Sequence, residues 1–210
     1  MRGARGAFLN IVSREIADDR VLDAFRQVER KDFVPEGSEH EADEDRPVLL
    51  PHRQTTSQPS LIARMIEAAR VQPEDRVLEI GTGYGFQTAL LAKLAREVVS
   101  VERYPLLAER ARHNLRDTGA ANADVYVGDG WEGWPERSPY DAIVVSASAA
   151  EVPEALVSQL REAGRLVVPL KRGRSDDVVV LVKGPDDAVV EERLITPARF
   201  VPLVRGRPDA

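Results

Sequence analysis

A cluster of glycines and two glutamates carry the most specific chemical signal in this chain. Glycines stand at positions 81, 83 and 85, after the apolar stretch 77–80, and Glu79 lies two positions before the first of them. Glycine lets a backbone turn sharply and approach a ligand closely, and a following helix offers free N–H groups. Glu102 ends a second apolar stretch, 98–101. This order is typical of a nucleotide-binding βαβ unit.

The spacing of the glycines favours S-adenosylmethionine (AdoMet) over a dinucleotide. A dinucleotide motif places its third glycine where this chain has Phe86. AdoMet carries an ammonium and a carboxylate instead of a pyrophosphate. We expect Glu79 to serve the ammonium, directly or through water, and the loop N–H groups to receive the carboxylate. The loop residues predicted to bind the cofactor are Gly81, Thr82, Gly83 and Gly85.

Two carboxylates are predicted to hold the nucleoside part of the same cofactor. Glu102, at the end of the second strand, can accept hydrogen bonds from both ribose hydroxyls; the alternative is a surface glutamate paired with Arg103. Asp129 follows the third strand and can accept from the adenine amine; the alternative is a turn aspartate before Gly130. We therefore include Glu102, Arg103, Asp129 and Gly130 in the predicted cofactor site.

Composition restricts the class of protein. The chain has 210 residues, a formal net charge of −6 and no cysteine. Without cysteine there is no disulfide or thiolate zinc site, and we predict no metal site. The negative charge argues against a nucleic-acid partner. No apolar run reaches the roughly 18 residues of a membrane span, and we expect a cytoplasmic monomer that does not engage a membrane.

The apolar patterning predicts an α/β fold with a doubly wound, mostly parallel sheet. With AdoMet as the expected cofactor, this corresponds to the Rossmann-like methyltransferase type. Parallel strands are expected near 76–80, 97–102, 123–127, 141–146 and 164–170, followed by antiparallel strands near 177–183 and 188–195 joined by a turn at 184–187. Helices are expected near 18–30, 60–71, 84–95, 105–118 and 153–162, with a solvated acidic loop at 36–46 and an irregular segment at 47–59.

We expect residues 1–210 to form a single methyltransferase domain. It comprises an N-terminal helical, substrate-side segment (1–60), an AdoMet-binding core (61–170) and C-terminal strands (171–210).

The flanks of the glycine motif carry a resemblance to a known family. The segments VLDAFRQVERKDFVPE (21–36), QTTSQPSLIARMIE (54–67), VLEIGTGYGFQTALLAKL (77–94), the long stretch 127–169 and RFVPLV (199–204) resemble the protein-L-isoaspartate O-methyltransferases. The resemblance implies AdoMet as cofactor and isoaspartyl-containing proteins or peptides as substrates. The methyl ester would then close spontaneously to a succinimide, which begins repair.

The resemblance also implies which residues face the substrate. It makes Ser57 the active-site residue, with Thr55 and Thr56 beside it, and places Val201 in a segment that offers main-chain partners to an extended peptide. Thr56 stands where the family usually has isoleucine. Residues 51–53 stand where the family usually has a glycine-containing stretch before the active-site segment.

The expected reaction needs little side-chain chemistry. A carboxylate has a pKa near 4, so the α-carboxylate of an isoaspartyl residue is already ionised at neutral pH and needs no general base. Positioning it in line with the methyl group is the main task, and neutral hydroxyl donors such as that of Ser57 suit it. Three alternatives stay open: a tailoring enzyme that methylates aspartate in one dedicated peptide to form an aspartimide, a tRNA adenine methyltransferase, and a non-catalytic AdoMet-binding adaptor.

Overall fold

A seven-stranded β-sheet organises the chain. The protein is described by a computed structural model that covers residues 2–185 and 188–206. The strands of this sheet are β3 (Arg76–Ile80), β4 (Glu97–Glu102), β5 (Ala123–Val127), β6 (Tyr140–Val145), β7 (Leu160–Arg172), β8 (Ser175–Lys183) and β9 (Val189–Ala198). They lie in the order β5-β4-β3-β6-β7-β8-β9. β3 to β7 run parallel, whereas β8 and β9 join antiparallel. The mostly parallel sheet with an antiparallel addition is confirmed.

Of the α-helices in the described residues, five pack on one face of the sheet and one packs on the other. The helices are α1 (Arg2–Glu15), α2 (Asp19–Gln27), α3 (Pro59–Ala69), α4 (Phe86–Ala92), α5 (Pro105–Asp117) and α6 (Glu154–Ser158). Successive strand residues point to opposite faces. Val77 and Val98 accordingly pack with α1 to α5, whereas Leu78 and Val99 pack with Leu156 of α6. None of the helices in the described residues is long and apolar enough to cross a membrane.

Several predicted boundaries need correction. α6 ends at Ser158 rather than near 162, because Leu160 already pairs with Tyr140 at the start of β7. The segment 47–59 is not wholly irregular: β1 (Val48–Leu50) and β2 (Gln54–Thr56) form an antiparallel hairpin. The predicted turn at 184–187 falls partly on Asp186 and Asp187, which lie outside the described residues.

The acidic loop at 36–46 is only partly solvated. A short 3₁₀ helix, Glu39–Glu41, leads to Ala42, which is buried. Asp45 accepts hydrogen bonds from Ser60 N and Gln58 Nε2, so its carboxylate caps the start of α3. This loop therefore helps to fix the chain that precedes α3, where Ser57 lies.

Candidate active site

A cavity lies where the strand order reverses. β3 is central, with β4 on one side and β6 on the other, and open α/β sheets bind ligands at the carboxyl ends of strands at such a point. The space between its walls, including the part that is open to solvent, is about 840 Å³. Its walls are the loop after β3, the end of β4, Ser146 after β6, the β1–β2 hairpin and residues 201–204.

The glycine loop approaches the other walls closely. Gly81, Gly83 and Gly85 have φ angles of 92°, 57° and 94°, the left-handed region that favours glycine. A Cβ on Gly81 would lie 3.3 Å from the Ser146 Cβ, and one on Gly83 would lie 3.3 Å from Leu50 Cδ1. Gly81, Thr82 and Gly83 line the cavity. Gly85 instead precedes α4 and faces Leu115 of α5, so it contributes to the conformation of the loop without lining the cavity.

Glu102 lies on the cavity wall with acceptor capacity to spare. Its side chain is buried, its Oε2 accepts from Gly83 N at 2.9 Å, and its Oε1 accepts from Tyr104 N at 3.0 Å. Burial raises the pKa of Glu102, while the hydrogen bonds from backbone N–H groups oppose that shift. A carboxylate has about four acceptor positions, so two remain for a ligand.

Arg103 is a second polar residue on this part of the cavity wall. Its Nη1 donates to Val204 O at 3.5 Å, and its buried Nε has no hydrogen-bond partner in the described residues. No ion pair joins Arg103 to Glu102 within the described chain; backbone N–H groups hold that carboxylate instead. The alternative of a surface Glu102–Arg103 pair therefore does not fit the geometry.

Glu79 lies one layer behind the cavity, so of its two expected contacts with the ammonium, direct or through water, the geometry favours the second, and the contact stays a prediction. Its side chain is 0% exposed and does not line the cavity. Its oxygens accept from Thr88 Oγ1, from Ser100 Oγ at 2.6 Å and from Gln87 Nε2 at 3.0 Å. A buried carboxylate with three donors is a support for the loop rather than an exposed anion.

Gln87 is the residue that sequence reasoning missed. It is buried on α4, lines the cavity, and its Nε2 bridges Glu79 and the Ser146 hydroxyl, at 3.0 Å from each. Its Oε1 has no partner in the described residues. A single amide on a helix belongs to no motif, and the only signal was its position two residues after Gly85, in the first turn of a helix facing the glycine loop.

The buried Glu79 is expected to make stability depend on pH. Burial, the largest cause, raises the pKa of Glu79 to about 7. The folded protein therefore holds this proton over a pH range where the unfolded chain has lost it, and stability falls as pH rises from about 4.5 to about 7. The glutamine of Glu79→Gln cannot ionise. The free energy of unfolding of this variant, measured with denaturant, should therefore rise relative to that of the wild type between pH 5 and pH 8. If the free energies of unfolding of the two proteins change with pH by the same amount, this expectation is wrong.

Asp129 and Gly130 occupy different positions relative to the cavity. Asp129 is half-buried, and its oxygens accept from Trp131 N at 2.9 Å and Gly206 N at 2.5 Å. It does not line the cavity, whereas Gly130 does, and a Cβ there would lie 2.4 Å from Ile80 Cγ2. The geometry favours the turn-forming alternative for Asp129; its contact with adenine stays a prediction.

The hairpin and the chain that follows it bring three hydroxyls to the opposite wall. Thr55, Thr56 and Ser57 all line the cavity. Ser57 is half-buried, and its hydroxyl has no hydrogen-bond partner in the described part of the chain. The Thr56 hydroxyl is already engaged: it accepts from Arg30 Nη2 at 2.7 Å and from Val48 N at 3.2 Å. Thr56 therefore supports the hairpin.

Arg30 explains why threonine occupies position 56. The side chain is 1% exposed, and burial lowers its pKa to about 10, so it stays charged at neutral pH. Its Nη1 donates to Glu44 O at 2.9 Å, and its Nη2 donates to Arg46 O at 2.8 Å and to Ser57 O at 3.4 Å. An isoleucine at 56 could not accept the remaining hydrogen bond. One buried cation thus ties the acidic loop to the strand that carries the hydroxyls.

Thr56→Val is expected to destabilise the protein by about 1.5–3 kcal/mol, because it removes an acceptor from a buried charged donor while keeping the shape of the side chain. Urea unfolding measures the change. Thr55→Val is the matched control, since Thr55 is exposed and its hydroxyl has no partner in the described residues; its effect should stay within about 0.5 kcal/mol. Equal losses in the two variants would contradict the Arg30–Thr56 assignment.

The segment around Val201 forms the remaining wall. Val201 O accepts from Ser148 N at 2.8 Å, and Leu203 N donates to Ser148 O at 2.7 Å, so this segment pairs with the chain after β6. Val201 lines the cavity and also a second groove that continues from Ser57. Thr55 and Ser57, predicted to face the substrate, and Val201, predicted to lie in a segment that offers main-chain partners, therefore line the same cavity and the same groove.

Comparison with known sequences decides the family. Residues 8–208 match the protein-L-isoaspartate(D-aspartate) O-methyltransferase family. The chain belongs to this family. A protein-L-isoaspartate O-methyltransferase of Methanoculleus marisnigri is 48% identical over 194 residues, which cover 92% of this chain and 87% of that protein. One from Opitutus terrae is 44% identical over 198 residues, covering 94% and 84% of the two chains.

Solved structures of this family share the fold. A protein-L-isoaspartate O-methyltransferase structure superposes with a TM-score of 0.86 at 31% identity, covering 96% of this chain and 66% of the other. A Plasmodium falciparum protein, proposed to be a protein-L-isoaspartate O-methyltransferase and crystallised with S-adenosyl-L-homocysteine, gives a TM-score of 0.83 at 25% identity, covering 95% and 98%. The predicted fold class and family are confirmed.

Proposed function

We propose that this chain transfers the methyl group of AdoMet to the α-carboxylate of L-isoaspartyl residues in proteins or peptides and so begins their repair. The family membership supports this reaction, and none of the comparisons favours a dedicated-peptide or tRNA enzyme. The observation that carries the proposal is the junction at Ser57, where the cavity at the strand ends opens into a groove between α3 and the chain around Val201.

The residues of the cavity fit the nucleoside and the amino-acid tail of AdoMet. Glu102 has two acceptor positions left, which suit the two ribose hydroxyls. The loop from Gly81 to Gly83 lines the cavity close to Ser146. Because Gly81 N donates to Val101 O and Gly83 N donates to Glu102, Thr82 N is the donor of this stretch that has no partner in the described residues and could receive the tail carboxylate. Gln87 brings an unpaired oxygen near the same loop, so the ammonium would meet Glu79 only through Gln87 or water.

The chemistry on the substrate side is positioning. When bound, AdoMet supplies an electrophilic methyl group on a sulfonium. The isoaspartyl carboxylate is ionised at neutral pH and needs no base. Ser57 has a free hydroxyl in the described chain and lines both cavities, so it can donate to one carboxylate oxygen and hold the other about 3–3.5 Å from the methyl group. Hydroxyls leave the carboxylate more nucleophilic than an arginine clamp would.

Assembly and location are part of the same proposal. A net charge of −6 supports the absence of a nucleic-acid partner, and the cysteine-free composition suits the reducing cytoplasm. The monomeric state and the division into segments 1–60, 61–170 and 171–210 of one domain stay predictions.

Matched peptides test the proposed reaction. The protein is incubated with methyl-labelled AdoMet and with two peptides of one sequence that differ only in carrying aspartate or isoaspartate. Base-labile label on the isoaspartyl peptide alone is the expected result. Label on the aspartyl peptide would favour a tailoring enzyme, and label on neither peptide would contradict the proposed activity.

A further inference from the structure

The groove beside Ser57 has walls that can receive several residues of an extended chain. It runs between α3 and the segment 196–201, and the space between its walls, including the part that is open to solvent, is about 830 Å³. Four residues line both the groove and the cofactor cavity, so the two are continuous: Thr55, Ser57, Ser146 and Val201. A peptide whose isoaspartyl carboxylate reaches Ser57 can therefore place its neighbouring residues in this groove.

The groove carries positive charge within a negatively charged protein. Among its lining residues, Arg64 and Arg199 are cations and none is a carboxylate. Arg199 is exposed, and it makes no ion pair or hydrogen bond within residues 2–185 and 188–206. Arg64 is partly engaged: its Nη2 donates to Ile195 O, while its Nη1 is 3.8 Å from Glu15, beyond the range of a hydrogen bond.

Two carboxylates hydrogen-bond to the groove walls, and neither forms an ion pair with Arg199 in the described residues. Asp45 accepts from Ser60 N and from Gln58 Nε2, so its charge is directed at the start of α3. Asp176 accepts from Phe200 N at 2.8 Å and pairs with Lys171 at 3.4 Å. Arg199 stands two residues before Val201, at most about 7 Å along an extended chain. That distance corresponds to one or two residues of a bound peptide.

We infer that Arg199, assisted by Arg64, makes this groove select isoaspartyl segments that carry an acidic side chain within two residues of the damaged position. The inference rests on the proposed function and names the substrate class of the same site. Arg199 is a specificity-determining residue, because it acts on the flanking residue and not on the reacting carboxylate. Exposed ion pairs are weak, so the preference is expected to be about two- to fivefold at low salt.

Steady-state kinetics on three isoaspartyl peptides test the inference. The peptides differ only in a flanking residue two positions from the isoaspartate: glutamate, glutamine or lysine. The wild type should methylate the glutamate peptide with a KM about two- to fivefold below that of the glutamine peptide, and the lysine peptide should be poorest. The differences should shrink when salt is raised from about 20 mM to 0.5 M, since exposed charges are screened.

Three variants separate a charge effect from a structural one. Arg199→Gln should bring the KM ratio of the glutamate and glutamine peptides close to one, whereas Arg199→Lys should keep most of the preference. Arg110→Gln, an exposed arginine of α5 that lines neither cavity, should leave the ratio unchanged. Equal KM values for all three peptides in the wild type, or a preserved ratio in Arg199→Gln, would overturn the inference. Methylation of none of the peptides would instead refute the proposed function.

Discussion

Glu102→Ala is expected to weaken the binding of AdoMet and of S-adenosylhomocysteine about tenfold or more. Glu102 is buried on the cavity wall, with two acceptor positions beyond the hydrogen bonds from Gly83 N and Tyr104 N. Hydrogen bonds to a charged acceptor contribute about 1.5–3 kcal/mol each, and 1.4 kcal/mol corresponds to a tenfold change in Kd. Isothermal titration calorimetry with S-adenosylhomocysteine measures the change.

The ribose assignment can be separated from damage to the loop. A ligand analogue without the two ribose hydroxyls should bind the wild type and Glu102→Ala with similar affinity, because this analogue cannot hydrogen-bond to the Glu102 carboxylate in either protein. Glu109→Ala, an exposed carboxylate of α5, is the control and should bind like the wild type. If Glu102→Ala weakens the analogue as much as the natural ligand, the carboxylate supports only the loop and the ribose assignment fails.

Ser57→Ala is expected to lower kcat/KM for an isoaspartyl peptide about ten- to a hundredfold while leaving the Kd of S-adenosylhomocysteine nearly unchanged. The Ser57 hydroxyl has no partner in the described residues and lies where the cavity and the groove join. The charge-assisted hydrogen bond that it would give to the substrate carboxylate contributes about 1.5–3 kcal/mol. Initial rates at varied peptide concentration give kcat and KM separately.

Ser57→Thr provides the matched comparison, because it retains a hydroxyl at this position and should recover part of the activity. Thermal unfolding of both variants identifies any loss of folded protein. Full activity of Ser57→Ala would show that the backbone and the neighbouring hydroxyls position the carboxylate without Ser57, and the role given to this residue would be wrong.

The parallel core of the fold was predictable because its signals are local. β3, β4 and β5 begin and end at the predicted residues, since each strand is a short apolar run bounded by polar or turn residues. α5 was equally clear: Pro105 opens it, and Leu107, Ala111 and Leu115 are all buried. For these elements the local pattern and the tertiary packing favour the same structure.

The elements that were missed depend on tertiary contacts. Leu160 joins β7 rather than α6 because it pairs with Tyr140. Since Tyr140 is distant in the sequence, the residues around position 160 do not indicate this pairing. The β1–β2 hairpin has two strands of three residues each, too short to show an alternating pattern. α1 packs through Phe8 and Val12 on the N-terminal side of the core, although the sequence near Gly6 gives little sign of a helix.

The candidate site was predictable in residue type more than in geometry. Glu102 and the glycine loop lie on the cavity wall because their positions at strand ends follow from topology. The sequence could not say that Thr88, Ser100 and Gln87 would engage Glu79, since these donors lie on α4 and β4, two elements other than the strand that carries Glu79. The pairing of Arg30 with Thr56 spans 26 positions and was equally invisible in the chain.

A crystal structure of the protein with S-adenosylhomocysteine and an isoaspartyl peptide tests the central claim most directly. The account predicts ribose hydroxyls on the Glu102 carboxylate and the sulfur at the junction near Ser57. It also predicts a peptide carboxylate oxygen about 5 Å from that sulfur, which leaves room for a methyl group at attack distance. A nucleoside bound away from Glu102, or a peptide that lies outside the groove between α3 and Val201, would contradict it.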